Sequence, residues 1–204
     1  GDPARIPNHL ELYHYPFIFV GFITLFFTAL NLLPIGQLDG GHVVYGLFGP
    51  ARAAIISRVT VVLLVLTGGM GLIRANWNLE EDASWVISFW LYLFYLYFVL
   101  SGVTGRARLK LATLLIVGII LVQQGLQYYF PKWEPNMLWL FYSVLAVKVM
   151  GLDHPPAVYE IPLDAKRRVL GWLAIVIFIL CFSFKPFDMA TPEKGKHVIT
   201  QQQP

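Results

Sequence analysis

The chain has 204 residues, of which 57% are hydrophobic and only 13% charged, with a mean hydropathy of +0.62 and a formal net charge of +3. A water-soluble fold could not hide that much apolar surface, so the composition makes the bilayer the solvent. The basic residues sit between apolar runs instead of forming a face, which argues against a nucleic-acid partner, and the one cysteine, Cys181, lies inside an apolar run, which excludes a disulfide framework and a cysteine-built metal site.

The polar stretch 1–14 lacks the basic flank of a signal peptide and reads as a lead-in outside the membrane. The chain starts at Gly1 without an initiator Met, which sets the expectation that something upstream has been removed. Charge-free runs of about 16 to 20 residues then recur, each about long enough to cross a hydrocarbon core of roughly 30 Å as a helix. They predict six spans, at 15–33, 53–73, 84–102, 111–130, 137–152 and 169–184. The second carries Arg58 near its start and the fifth Lys148 near its end, each close enough to a boundary to snorkel into the headgroups. Trp85, Trp90, Trp133 and Trp139 lie toward span ends, where amphipathic rings favour the interface. No run shows strand alternation. The expected fold class is all-α, a polytopic transmembrane helix bundle of about six spans filling 15–187 as one domain, with a broken segment at 34–41 and a disordered polar tail at 188–204.

Alternating these spans puts Arg5, Arg74, Lys132, Lys185, Lys194 and Lys196 on one side. Arg52, Arg58, Arg106, Arg108, Lys110, Lys148, Lys166, Arg167 and Arg168 fall on the other, which by the positive-inside tendency is cytoplasmic and includes the segment 34–50. The reading is thus an integral, multi-pass membrane protein with its broken segment near the cytoplasmic side.

That segment concentrates the chemistry. After the first span the chain runs Asn31-Leu-Leu-Pro34-Ile-Gly36-Gln-Leu38-Asp39-Gly40-Gly41-His42, and Pro34 with the three glycines makes an uninterrupted helix unfavourable. Irregular backbone at membrane depth is tolerated only where protein or a water-filled cavity satisfies its amides, so the stretch should face inward. Asp39 is the one acid between Glu11 and Glu80, and an ionised group near hydrocarbon needs a metal or a cation as partner. A plainer alternative is an interfacial turn in which Asp39 caps a short helix beginning near His42. His42 is then a satisfied boundary residue and Asn31 an interhelical hydrogen bonder.

The pattern Asn31-x-x-Pro34-x-x-x-Leu38-Asp39-Gly40 resembles the second signature of the site-2 proteases, intramembrane metalloproteases that cut substrate helices. Phe27-Thr28-Ala29-Leu30 before it, Gly41-His42 after it, His154-Pro155-Pro156 and Pro162-Leu163-Asp164 leading to Arg167-Arg168 resemble bacterial and plastid members. The resemblance implies that Asp39 is the third protein ligand of a catalytic zinc ion. It also implies that Asn31 helps hold an extended substrate, with Pro34 and Gly40 beside it as further substrate-binding candidates.

The same resemblance demands a His-Glu-x-x-His helix for the other two ligands and the general base, and the chain has none. His9, Glu11 and His14 have the residue types, but the histidines are five positions apart and the glutamate is displaced, while His42, His154 and His197 show no paired spacing. No catalytic residue is therefore assigned within the chain, which is expected to be inactive alone. The leading reading is the C-terminal part of a zinc-dependent intramembrane endopeptidase, whose partners are a transmembrane protein substrate, membrane lipid and a missing N-terminal part bearing the histidines. Alternatives are a noncatalytic pseudoprotease that binds membrane substrates, which metal content would separate, and a transporter. Broken helices with a lone carboxylate also suit ion-coupled carriers, but few charges lie within the spans to form a relay.

Overall fold

The computed structural model describes residues 15–73, 84–105, 109–154 and 163–184. The expectations placed on 1–14 and 188–204, among them the His9, Glu11 and His14 cluster and His197, lie outside the described residues. Among the described residues every regular element is a helix.

The order is α1 (Pro16–Asn31), α2 (Asp39–Phe48), α3 (Pro50–Gly68), α4 (Ser84–Thr104), α5 (Leu109–Tyr129), α6 (Met137–Leu145) continued by a π-helical turn (Ala146–Met150), and α7 (Ala165–Cys181). Proline stands in the first turn of α1 and of α3, where its missing N–H costs nothing and its fixed φ suits the helix. Gly49, at φ +79°, is the whole connection between α2 and α3. The Asp164 side chain accepts from Arg167 N–H at 3.0 Å and caps α7, whose first turn carries Lys166, Arg167 and Arg168.

Helix α4 packs along α5, α3 along α6 and α2, and α7 closes over α2 and α1. The interior is formed by Val61 and Val65 of α3 with Leu96, Val99 and Leu100 of α4, and by Leu33 and Ile35 of the irregular stretch, which are 1% and 0% exposed. Irregular backbone at this depth is thus anchored by its own apolar side chains. Outward residues are large and apolar, as on α1 with Phe17 and on α5 with Leu121, the surface a lipid-facing helix presents. Between apolar helices in lipid, burial drives little association and polar contacts matter more. Gln123 of α5 supplies one, donating to the carbonyls of Val65 (3.3 Å) and Leu66 (3.0 Å) and pairing with Tyr92 OH. Tyr95 of α4 joins Ser143 of α6 at 2.5 Å.

The all-helical expectation holds, with corrections of extent. Pro50–Gly68, Val86–Thr104 within α4 and Leu109–Tyr129 are long and apolar enough to cross a membrane; α1 and the α6 continuation are shorter apolar helices. The second helix runs 50–68, not 53–73, because Pro50 starts it and glycines at 68, 69 and 71 end it. The break spans 32–38, not 34–41: Gly40 and Gly41 are helical. Trp139, near the start of α6, is 2% exposed, its indole N–H donating to Phe184 C=O at 2.8 Å. Arg58 pairs with Asp153 at 2.8 Å, and Lys148 sits 4.1 Å from the Phe98 ring centre.

Candidate metal centre

The break between α1 and α2 is built by backbone packing. From Leu32 the chain turns through short bonds, Ile35 N–H to Leu33 C=O at 2.7 Å and Leu38 N–H to Ile35 C=O at 3.0 Å, while Gly36 N–H donates to the buried Ser57 hydroxyl of α3 at 3.0 Å. Gly36 has φ +44°, and a Cβ there would lie 2.0 Å from the Gly151 carbonyl oxygen, so the position accepts only glycine on two counts. A Cβ on Gly40 would lie 2.0 Å from Leu32 O, and one on Gly41 would lie 2.2 Å from Gly36 O. The start of α2 therefore rests directly on the carbonyls of the loop that precedes it.

That packing returns Asp39 to the end of α1. Asn31, in the last turn of α1, donates its Nδ2–H to Asp39 Oδ2 across the break. Asp39 is the first residue of α2, with Leu38 at the cap position and no side-chain cap bond. The capping alternative is thereby corrected: the carboxylate leaves its helix's own N–H groups and takes Asn31, while its negative charge still suits the positive end of α2. Both side chains are exposed on a groove of about 500 Å³ lined by Ile23, Thr24, Phe27, Thr28 and Leu32. Thr24, Thr28 and Asn31 share one face of α1 by their spacing. The two hydroxyls donate to their own helix carbonyls at 2.8 and 2.7 Å. Pro34 and the buried Gly40 border a separate apolar cavity of about 260 Å³, with Val43 and Val44 of α2 and Ile175 and Phe178 of α7.

Catalytic zinc takes three protein ligands. Asp39 offers one carboxylate oxygen already oriented by a neighbouring amide, as ligating carboxylates usually are. Among the described residues no three His, Cys, Asp or Glu side chains gather to hold a metal, so these residues do not complete a zinc site.

A pair invisible to spacing also appears. His42, one turn after Asp39, and His154, 112 positions away, meet through Nδ1 and Nε2 at 2.5 Å. His154 lies just beyond Gly151, the residue packed on Gly36, so the loop that locks the break also delivers the second imidazole. Only the resemblance of His154-Pro155-Pro156 to bacterial and plastid members of the site-2 protease family marked this loop in the sequence.

A helical membrane protein that folds a carboxylate back onto an asparagine at a helix break is the class this geometry defines. Residues 8–73, about a third of the chain, match the model described as peptidase family M50, and that stretch holds Asn31, Pro34, Asp39 and Gly40. It is 43% identical over 56 residues to "Probable zinc metallopeptidase EGY3, chloroplastic" of Arabidopsis thaliana, a match covering 28% of this chain and 10% of that protein. It is 42% identical over 67 residues to "Probable zinc metalloprotease EGY3, chloroplastic" of Oryza sativa subsp. indica, covering 31% and 11%. The chain thus matches about a tenth of the length of these relatives. No solved structure matches it.

Proposed function

We propose that this chain is the Asp-bearing, C-terminal part of a zinc-dependent intramembrane endopeptidase that cuts transmembrane substrate helices. It sits in the membrane by several passes with the Asp39 segment toward the cytoplasmic side. The observation that carries the reading is the Asn31–Asp39 hydrogen bond across a rigid break, open to a groove. Asp39 would be the oxygen ligand, and two imidazoles and the general-base glutamate would come from a histidine-bearing part that docks on the groove side of α1. Bound zinc would supply an acidified water and polarise the scissile carbonyl.

The share of this chain is positional. The glycine contacts fix where Asp39 emerges, and the Asn31 amide fixes which carboxylate oxygen stays available. Thr24, Thr28 and Asn31 give the groove a polar edge along which an extended segment could lie. The cavity beside Pro34 and Gly40 suits an apolar side chain of that segment. The alternative is a noncatalytic relative that binds membrane proteins along the same groove.

The test is proteolysis of a reporter transmembrane helix in liposomes by this chain joined to a histidine-bearing part. Cleavage abolished by Asp39→Ala and kept by Asp164→Ala supports the protease reading. Reporter binding without cleavage in every form would support the noncatalytic one.

A further inference from the structure

We infer that His42 and His154 form a second metal site, one for a borderline dication such as Zn2+ or Ni2+, independent of Asp39. The rings meet edge to face, with centroids 4.5 Å apart and planes at 85°, and His42 Nδ1 faces His154 Nε2 at 2.5 Å. At that distance one nitrogen carries the proton and the other offers its lone pair.

The His154 imidazole is held in place. The Tyr45 ring, on the same face of α2 as His42, stacks on His154 at 4.2 Å and 29°. The short segment carrying His154 is fixed by Gly151 against Gly36, by the buried Leu152 and by the Asp153–Arg58 ion pair. His42 itself is exposed, so water and ions reach the pair.

Two imidazole ligands at bonds of about 2.0–2.1 Å in a tetrahedral site place their nitrogens roughly 3.3 Å apart. The facing nitrogens would need to part by only about 0.8 Å, within reach of a small side-chain rotation of the exposed His42. Binding breaks the N–H···N bond, and the donating ring takes its proton back on its other nitrogen. Two nitrogen–metal bonds form, and two metal-bound waters leave. Imidazole selects Zn2+, Ni2+ or Cu2+ over Mg2+ or Ca2+, which prefer oxygen. Among the described residues no third His, Cys, Asp or Glu joins the pair, so water fills the remaining positions and the ion is exchangeable.

The experiment is Zn2+ titration calorimetry on the full chain in detergent, without an affinity tag, alongside Co2+ absorption spectra. Wild type should bind one ion at this pair. His42→Ala and His154→Ala should each weaken that binding at least about tenfold, since even losing an orienting partner of a ligand costs 10–100-fold. Asp39→Ala should leave it unchanged. His42→Cys, which keeps a ligand in place, should retain binding and add a thiolate-to-cobalt charge-transfer band, an outcome available even if the alanine variants fold poorly. No ion bound by wild type, or binding indifferent to both histidines as adventitious coordination elsewhere would be, overturns the inference. So does loss on Asp39→Ala, or a His42→Cys form without the band.

Discussion

Gly40→Ala asks whether the helix break is a rigid device. The added Cβ would sit 2.0 Å from Leu32 O, 2.4 Å from Leu32 C and 2.5 Å from Leu33 O. Ordinary carbon–oxygen contacts begin near about 3.3 Å, so the carbonyl of Leu32 would have to retreat by more than about 1 Å, and it is backbone that cannot rotate away. Overpacking usually costs about 1–3 kcal/mol, and a triple contact with backbone belongs at the upper end, about 3 kcal/mol. Replacing a helical glycine returns about 0.5–1 kcal/mol of backbone entropy. The net is a loss of about 2 kcal/mol, roughly a 30-fold shift of the unfolding equilibrium. Gly118→Ala and Gly125→Ala in α5, where nothing lies within 4 Å of the new Cβ, receive only the entropic gain. Denaturation in mixed detergent micelles, followed by circular dichroism, would read all three. A Gly40→Ala protein as stable as the α5 controls would refute the reasoning.

Asn31→Ala should change stability by less than about 1 kcal/mol because the pair is exposed. In the zinc-competent longer protein it should weaken zinc about 10–100-fold, read by competition with a chromophoric chelator, through loss of the donor that orients Asp39. Gln123→Leu should cost about 1–2 kcal/mol in the same denaturation assay, since it removes the amide tying α5 to α3 and α4; no change would show that lipid-facing packing alone holds α5. Asp164→Ala should cost about 1 kcal/mol by uncapping α7 and leave zinc affinity unchanged, and a lost zinc site there would contradict the purely structural role.

The helical class was legible because charge-free runs of span length are a global property of the chain, and Asp39 stood out because ionised groups are rare among them. Hydropathy is blind to where helices stop. It carried the second span through Gly68, Gly69 and Gly71, where the backbone turns, and missed that Pro50 opens the helix. Gly40 and Gly41 read as breakers from propensity alone. They lie inside α2, and they are glycines because only a hydrogen fits under the carbonyls of Leu32 and Gly36, a tertiary constraint that no local scale contains. Hydropathy is equally blind to Trp139 near the start of α6 being packed inside the bundle, where its indole N–H donates to Phe184 C=O. The eight-residue interval from Asn31 to Asp39 became a hydrogen bond because the break reverses the chain, and the His42–His154 pair depends on the loop at Gly151 meeting Gly36. Both are consequences of packing, not of spacing.

On the function proposed above, Asp39 ligates zinc in a centre completed by another part of the protein. Its most direct test is the zinc retained per molecule by the longer, histidine-bearing protein after dialysis against a weak chelator. Performing it in a His42→Ala background keeps the imidazole pair from contributing. One retained zinc is expected with Asp39 intact and none with Asp39→Ala. Equal zinc in both forms would contradict it.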